Sequence, residues 1–167
     1  LPMGKNLVGA FHDPSLVYAD LTTLGTLPQR HLGAGLGEGL KHALLIGDEL
    51  LVQLETQAEA LRGGDPALLL ELVERSCRYK AAVVAADPEE RDDSGGRALL
   101  NLGHTVGHAL ETASAEEDAA SPGGPLLHGE AVALGLLAAA RVSARLHGDA
   151  PPLEARLRRL LPRLGLP

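Results

Sequence analysis

Apolar positions along the chain fall into long runs with helical spacing, separated by glycine, proline and acidic breaks. Gln29 to Glu55 reads as helix interrupted at Gly47-Asp48. Gly63-Gly64-Asp65-Pro66 predicts a turn, with Asp65 as N-cap and Pro66 at the first helical position. A helix follows through LLLELVERSCRYKAAVVAA, and a strongly apolar one starts at His128 within LLHGEAVALGLLAAARVSARLHG. Glu130 falls in the first turn of the latter, where the helix dipole favours a carboxylate. After Pro151 and Pro152, LEARLRRLLPRLGLP predicts a basic amphipathic surface helix. SLVYAD, residues 15–20, is the one predicted strand, and Thr22 or Thr23 is expected to cap a short helix before Leu27-Pro28. Residues 1–15, 87–97 and 113–125 read as loops. The pattern predicts a mostly α, multihelical domain with one short strand near the N-terminus and neither an internal repeat nor a second domain.

One stretch departs from simple packing. Read as a single helix, RALLNLGHTVGHALE (97–111) places Arg97, Asn101, His104, His108 and Glu111 on one face and apolar residues on the others. A helix apolar nearly all round is expected to be buried. Gly103 and Gly107 each cost such a helix about 1 kcal/mol against alanine, a cost usually tolerated for close approach of a neighbouring helix or ligand. Two satisfied core histidines are the plainer alternative. In GAGLGEGLKHALL the glycines do not fit G-x-G-x-x-G, but Glu38, Lys41 and His42 share a face among leucines, too apolar a setting for a merely solvated ion pair. Lys5 and Asn6 follow Gly4, where backbone can approach a ligand closely, although an exposed linker lysine would look the same. Lys80 sits late on its helix, where lysines usually snorkel, and Asp93 lies one turn before Arg97.

Composition narrows the classes. With 2% aromatic residues, the core must be built from leucine, alanine and valine. A net charge of −7 argues against nucleic acid or an anionic membrane as partner. The single cysteine, Cys77, excludes an internal disulfide and fits a reducing compartment, so a cytoplasmic location is expected. The longest apolar run, AVALGLLAAA (131–140), is too short to span a bilayer, and LPMGKN lacks the regions of a signal peptide. A chain starting at Leu1 looks cut from something longer.

Glu38, His104 and His128 could converge from three helices. Two imidazoles and a carboxylate make the three-ligand set of a catalytic zinc with an open position. Around them stands an excess of cationic and amide donors: Lys5, Asn6, Lys41, Lys80, Arg97, Asn101 and His108. In an acidic chain that concentration points to a small anionic substrate, most simply one bearing phosphate and carboxylate.

GKNLVGAFHDP, LPQRHLGAGLGEGLKHALL, the Lys80-AAVVAAD segment, RALLNLGHTVGHALE and LLHGEAVALG resemble, in order and form, the 3-dehydroquinate synthase family, with NLGHTVGHA the most specific element. The resemblance runs from Lys5 to about Gly148. It implies that residues 1–167 form the helical metal- and substrate-binding domain, that 1–20 is the junction with a missing NAD-binding α/β domain, and that the family's late phosphate-site lysine is absent. It implies Glu38, His104 and His128 as ligands of Zn2+ or Co2+. Lys41, Lys80, Arg97 and Asn101 would contact the substrate's carboxylate and ring hydroxyls, and Asn6 and His108 would lie towards phosphate. Lys5 stands beside them and reaches the cofactor, and Asp93 stands where the family usually has glutamate. His12 and His42 match variable positions. The implied reaction converts 3-deoxy-D-arabino-heptulosonate 7-phosphate to 3-dehydroquinate and phosphate, in a homodimer, by NAD oxidation, β-elimination, reduction, ring opening and aldol closure. That scheme implies the leaving phosphate as its own base. Two departures stand out: the 87–97 loop and the stretch between His108 and His128 are longer than the family's form. Related sugar-phosphate cyclases, metal-dependent alcohol dehydrogenases and a non-catalytic metal-binding helical scaffold are the alternatives.

Overall fold

Leucine carries the core. Leu36, Leu40, Leu50, Leu54, Leu61, Leu136, Leu157, Leu160, Leu161 and Leu164 are all buried, with Val132 and several alanines filling the gaps between them. The computed structural model describes residues 8, 9, 12, 14–89, 96–117, 124–147 and 153–167. Helix α1 spans Gln29–Ile46, α2 Asp48–Thr56, α3 Ala58–Arg62, α4 Pro66–Ala86, α5 His104–Glu117, α6 His128–His147 and α7 Leu153–Arg163. Short 3-10 helices lie at Leu21–Thr26 and Arg97–Asn101. The mostly α class expected from the pattern is the one observed.

Local chemistry explains the boundaries. Gly47, at φ +138°, ends α1, and α2 starts at Asp48. Asp65 accepts from the backbone N–H groups of Ala67 and Leu68, with Pro66 opening α4 as its sequence signature predicts. α7 is amphipathic as expected. Its Leu157, Leu160 and Leu161 are buried where it packs on α3 and α6, while Arg156 and Arg163 pair with Glu55 and Glu59.

α6 lies between α1 and α5, and glycines set how closely they approach. A Cβ on Gly37 would stand 2.2 Å from the Gly129 carbonyl oxygen, and one on Gly129 1.8 Å from that of Ala34. On the other side, a Cβ on Gly135 would stand 1.9 Å from the Gly103 oxygen, and one on Gly107 3.1 Å from that of Ala131. Backbones therefore touch without side chains between them. Gly103 and Gly107 serve approach of a neighbouring helix, one of the two uses expected for them.

Several expectations are corrected. Ser15–Asp20 forms no strand, and among the described residues there is none: Leu16, Val17 and Tyr18 are about 80% exposed. A strand requires partners for its N–H and C=O groups, and no described segment supplies them. The supposed continuous helix over 97–111 breaks at Leu102-Gly103, where Gly103 takes φ +80°. Local periodicity could not reveal that α6 meets the chain there. Nor is this stretch buried all round, since Leu99 and Val106 are 50% and 41% exposed. α5 instead runs on to Glu117, into the segment expected to be loop. Asp20, rather than Thr22 or Thr23, caps the first 3-10 helix by accepting from the Thr22 N–H, because an ionised carboxylate is the stronger acceptor.

Candidate active site

The glycine contacts hold three helices close enough for their polar residues to meet. α1 carries Glu38 beside Gly37, α6 starts at His128 beside Gly129, and α5 starts at His104 beside Gly103. Glu38 Oε1 lies 3.5 Å from His104 Nε2 and 3.4 Å from His128 Nε2. The His108 ring lies 5.2 Å from that of His104 and 5.7 Å from that of His128.

Partners on the far side of each group determine what faces inward. Lys41, itself 5% exposed, donates from Nζ to Glu38 Oε2 at 2.6 Å. Oε1 is buried and has no hydrogen-bond partner among the described residues. His104 Nδ1 lies 3.2 Å from the Leu102 carbonyl oxygen, which can only accept, so the proton is assigned to Nδ1 and Nε2 keeps its lone pair. The same logic applies to His128, whose Nδ1 lies 3.3 Å from Glu111 Oε2. Burial pushes the His104 pKa down, favouring the neutral ring. Burial works to raise the Glu38 pKa, but the Lys41 hydrogen bond and charge and the neighbouring imidazoles outweigh it and hold the carboxyl below its usual value. Three electron-pair acceptors thus face one another with no donor between them among the described residues, an arrangement that suits a cation.

Zinc fits this set. Two ligands each about 2.1 Å from a tetrahedral zinc stand about 3.4 Å apart, the spacing of Glu38 Oε1 from either imidazole. His104, His108 and His128 form a second possible set, with nitrogen atoms within 4.8 Å of one another. That set would leave the buried Oε1 unused, so the Glu38 set fits better.

A cavity of about 360 Å³ opens on this cluster, lined by Glu38, Lys41, Lys80, Arg97, Asn101, His104 and His128, with His42 and Leu100. The volume suits a small ligand. Arg97 is carried there by the second 3-10 helix and donates from Nη1 to the Pro88 carbonyl at 2.7 Å, tying the end of α4 to that helix. Lys80 arrives from α4 and Asn101 from the end of the 3-10 helix. Lys5, Asn6 and Asp93 lie outside the described residues.

Two features lie outside the expected site residues. His42, which its spacing places on the Glu38 face but which the resemblance leaves at a variable position, lines the cavity, and burial followed by the adjacent Lys41 charge lowers its pKa. Glu111 meets His128 although the two are far apart in sequence, and nothing local signalled that contact.

The family model for the 3-dehydroquinate synthase C-terminal part matches residues 35–167, and that for the N-terminal part matches residues 1–34. A 3-dehydroquinate synthase of Symbiobacterium thermophilum is 54% identical over 169 residues, covering 100% of this chain and 44% of the relative. One from Xanthomonas campestris pv. campestris is 54% identical over 170 residues, with the same coverage. This chain therefore spans less than half the length of these relatives. Among solved structures, a 2-epi-5-epi-valiolone synthase from Streptomyces hygroscopicus subsp. jinggangensis with NAD+ and Zn2+ bound superposes with TM-score 0.78 at 27% identity, over 100% of this chain and 44% of that one. A 2-deoxy-scyllo-inosose synthase gives 0.75 at 28% identity, over 99% and 42%. With its C-terminal family model covering most of its length, and its helices superposing on those of solved sugar cyclases, the chain belongs to the 3-dehydroquinate synthase family.

Proposed function

We propose that this chain is the metal- and substrate-binding part of a 3-dehydroquinate synthase, acting on 3-deoxy-D-arabino-heptulosonate 7-phosphate to yield 3-dehydroquinate and phosphate. The observation that carries the reading is the meeting of Glu38 Oε1, His104 Nε2 and His128 Nε2 without a donor among the described residues, beneath a cavity bearing Lys80, Arg97 and Asn101. When bound, zinc at Glu38, His104 and His128 would supply Lewis acidity, and NAD, held mainly by a preceding domain, would supply hydride acceptance and return.

The remaining work falls to side chains. Lys41 neutralises one Glu38 oxygen and fixes the carboxylate so that the other is presented inward. Leu102 O and Glu111 hold the two imidazoles with Nε2 towards that oxygen. Lys80, Arg97 and Asn101 offer donors to the substrate's carboxylate and hydroxyls, each charged contact worth about 1.5–3 kcal/mol. His108, exposed and outside the proposed ligand set, is left for the phosphate end together with Lys5 and Asn6. Anchoring both anionic ends orients the substrate for each step. The departing phosphate can take the proton itself, which accounts for the lack of a dedicated base in the proposed roles. Cytoplasmic location and a homodimer complete the reading. The related cyclases remain the second reading because of their structural likeness, but 54% identity to 3-dehydroquinate synthases against 27% and 28% to the cyclases favours the first.

Elemental analysis tests the metal site. The purified chain should carry one zinc, and Glu38→Ala, His104→Ala and His128→Ala should each lose it. Unchanged metal content in all three variants would overturn the site.

A further inference from the structure

Glu111 has no part in the proposed ligand set or substrate contacts, yet its Oε2 lies 3.3 Å from His128 Nδ1. The other nitrogen of that ring lies 3.4 Å from Glu38 Oε1. His128 is thus bracketed by two carboxylates, one on each ring nitrogen. The two imidazoles differ in this respect, since among the described residues His104 Nδ1 meets only the neutral Leu102 carbonyl.

The support behind Glu111 is stiff. It stands on α5, the helix that also presents His104, and α5 is locked against α6 through Gly107 and Ala131. One turn on, Ser114 Oγ donates to the Glu111 carbonyl and accepts from the Leu126 N–H, tying α5 to the segment that leads into His128. The Glu111 side chain is 17% exposed, against 44% for His128, so the more sheltered group holds the more open one. A carboxylate accepting from Nδ1–H selects the tautomer with a free Nε2 lone pair and raises the electron density there.

We propose that Glu111 is a positioning residue of the metal centre, fixing the ring orientation and tautomer of His128 and strengthening it as a ligand. This rests on the reading of Glu38, His104 and His128 as the ligands. Because His104 has only a carbonyl behind it, removal of Glu111 should weaken the centre through His128 alone.

The test is zinc affinity by chelator competition on the purified chain, with histidine tautomers read by 15N NMR on the metal-free forms. Glu111→Ala should bind zinc about 10–100-fold more weakly and lose the Nδ1–H preference of His128, leaving His104 unchanged. Glu111→Gln keeps an acceptor without the charge, so it should retain the tautomer and recover part of the affinity. Wild-type affinity in Glu111→Ala would overturn the proposal. So would a Gln variant as weak as Ala, or an Ala variant whose His128 tautomer is unaltered. Glu38→Gln, run in parallel, separates the two levels: wild-type affinity there defeats the ligand reading itself, whereas loss there with an unaffected Glu111→Ala defeats only the role of Glu111.

Discussion

Gly35 and Gly37 sit two residues apart on α1, on opposite sides of the helix, and the same substitution should move them in opposite directions. A Cβ on Gly37 would fall 2.2 Å from the Gly129 oxygen and 2.9 Å from its carbonyl carbon, both backbone atoms that cannot swing aside. Real Cβ contacts essentially never come under 3.0 Å, so α1 and α6 must part by about 0.8 Å at that point. Overpacking of this kind costs about 1–3 kcal/mol. A Cβ on Gly35 would meet nothing within 4 Å, and alanine there should gain about 0.5–1 kcal/mol from helix propensity. Gly37→Ala and Gly35→Ala should therefore differ by about 1.5–4 kcal/mol, a gap on the order of 3–16 °C in Tm for a domain of this size. Parting the helices also carries His128 away from Glu38, whose facing atoms now stand 3.4 Å apart, so Gly37→Ala alone should weaken zinc binding. Thermal denaturation and chelator competition on both variants read the two effects. Equal Tm values, or a Gly37→Ala chain that binds zinc like the wild type, would show that the glycine contact does not set the geometry of the site.

Arg97→Ala or Asn101→Ala in an enzyme complete with its cofactor domain should lower kcat/KM by roughly the 1.5–3 kcal/mol of a charged contact, and wild-type kcat/KM would mark those side chains as structural. The Glu55 carboxyl is held below its usual value by the Arg156 hydrogen bond, against the opposing effect of burial. A lowered folded-state pKa contributes stability that is present above the ordinary value of 4.5 and lost as pH falls through the folded value, so Glu55→Gln should cost about 1 kcal/mol at neutral pH and flatten the acid limb of a stability–pH curve below about 4.5. An acid limb as steep as the wild type's would assign that limb to other carboxylates. The 167 residues by themselves should bind zinc but not turn substrate over, because no side chain accepts a hydride; sustained phosphate release with NAD, zinc and the heptulosonate phosphate would refute this.

The sequence by itself determined the helices and the residue chemistry. Apolar spacing marked α1, α4, α6 and α7, Gly47 and Asp65-Pro66 marked their ends, and the low aromatic content foretold a leucine-rich core. These are local properties, set by propensity, capping and side-chain period, and they survive packing unchanged. Tertiary structure decided the rest. It turned the supposed helix from Arg97 into a 3-10 segment and a separate α5, because Gly103 must bend where its carbonyl meets α6. It left SLVYAD without a partner among the described residues, so β propensity there produced no strand. It set Glu111 behind His128 and, among the described residues, left Glu38 Oε1 without a donor. Spacing along one helix gives the face a side chain occupies, but the distance between faces of different helices depends on which backbones touch. Here that distance is set at Gly37, Gly103, Gly129 and Gly135, whose partners lie far away in sequence.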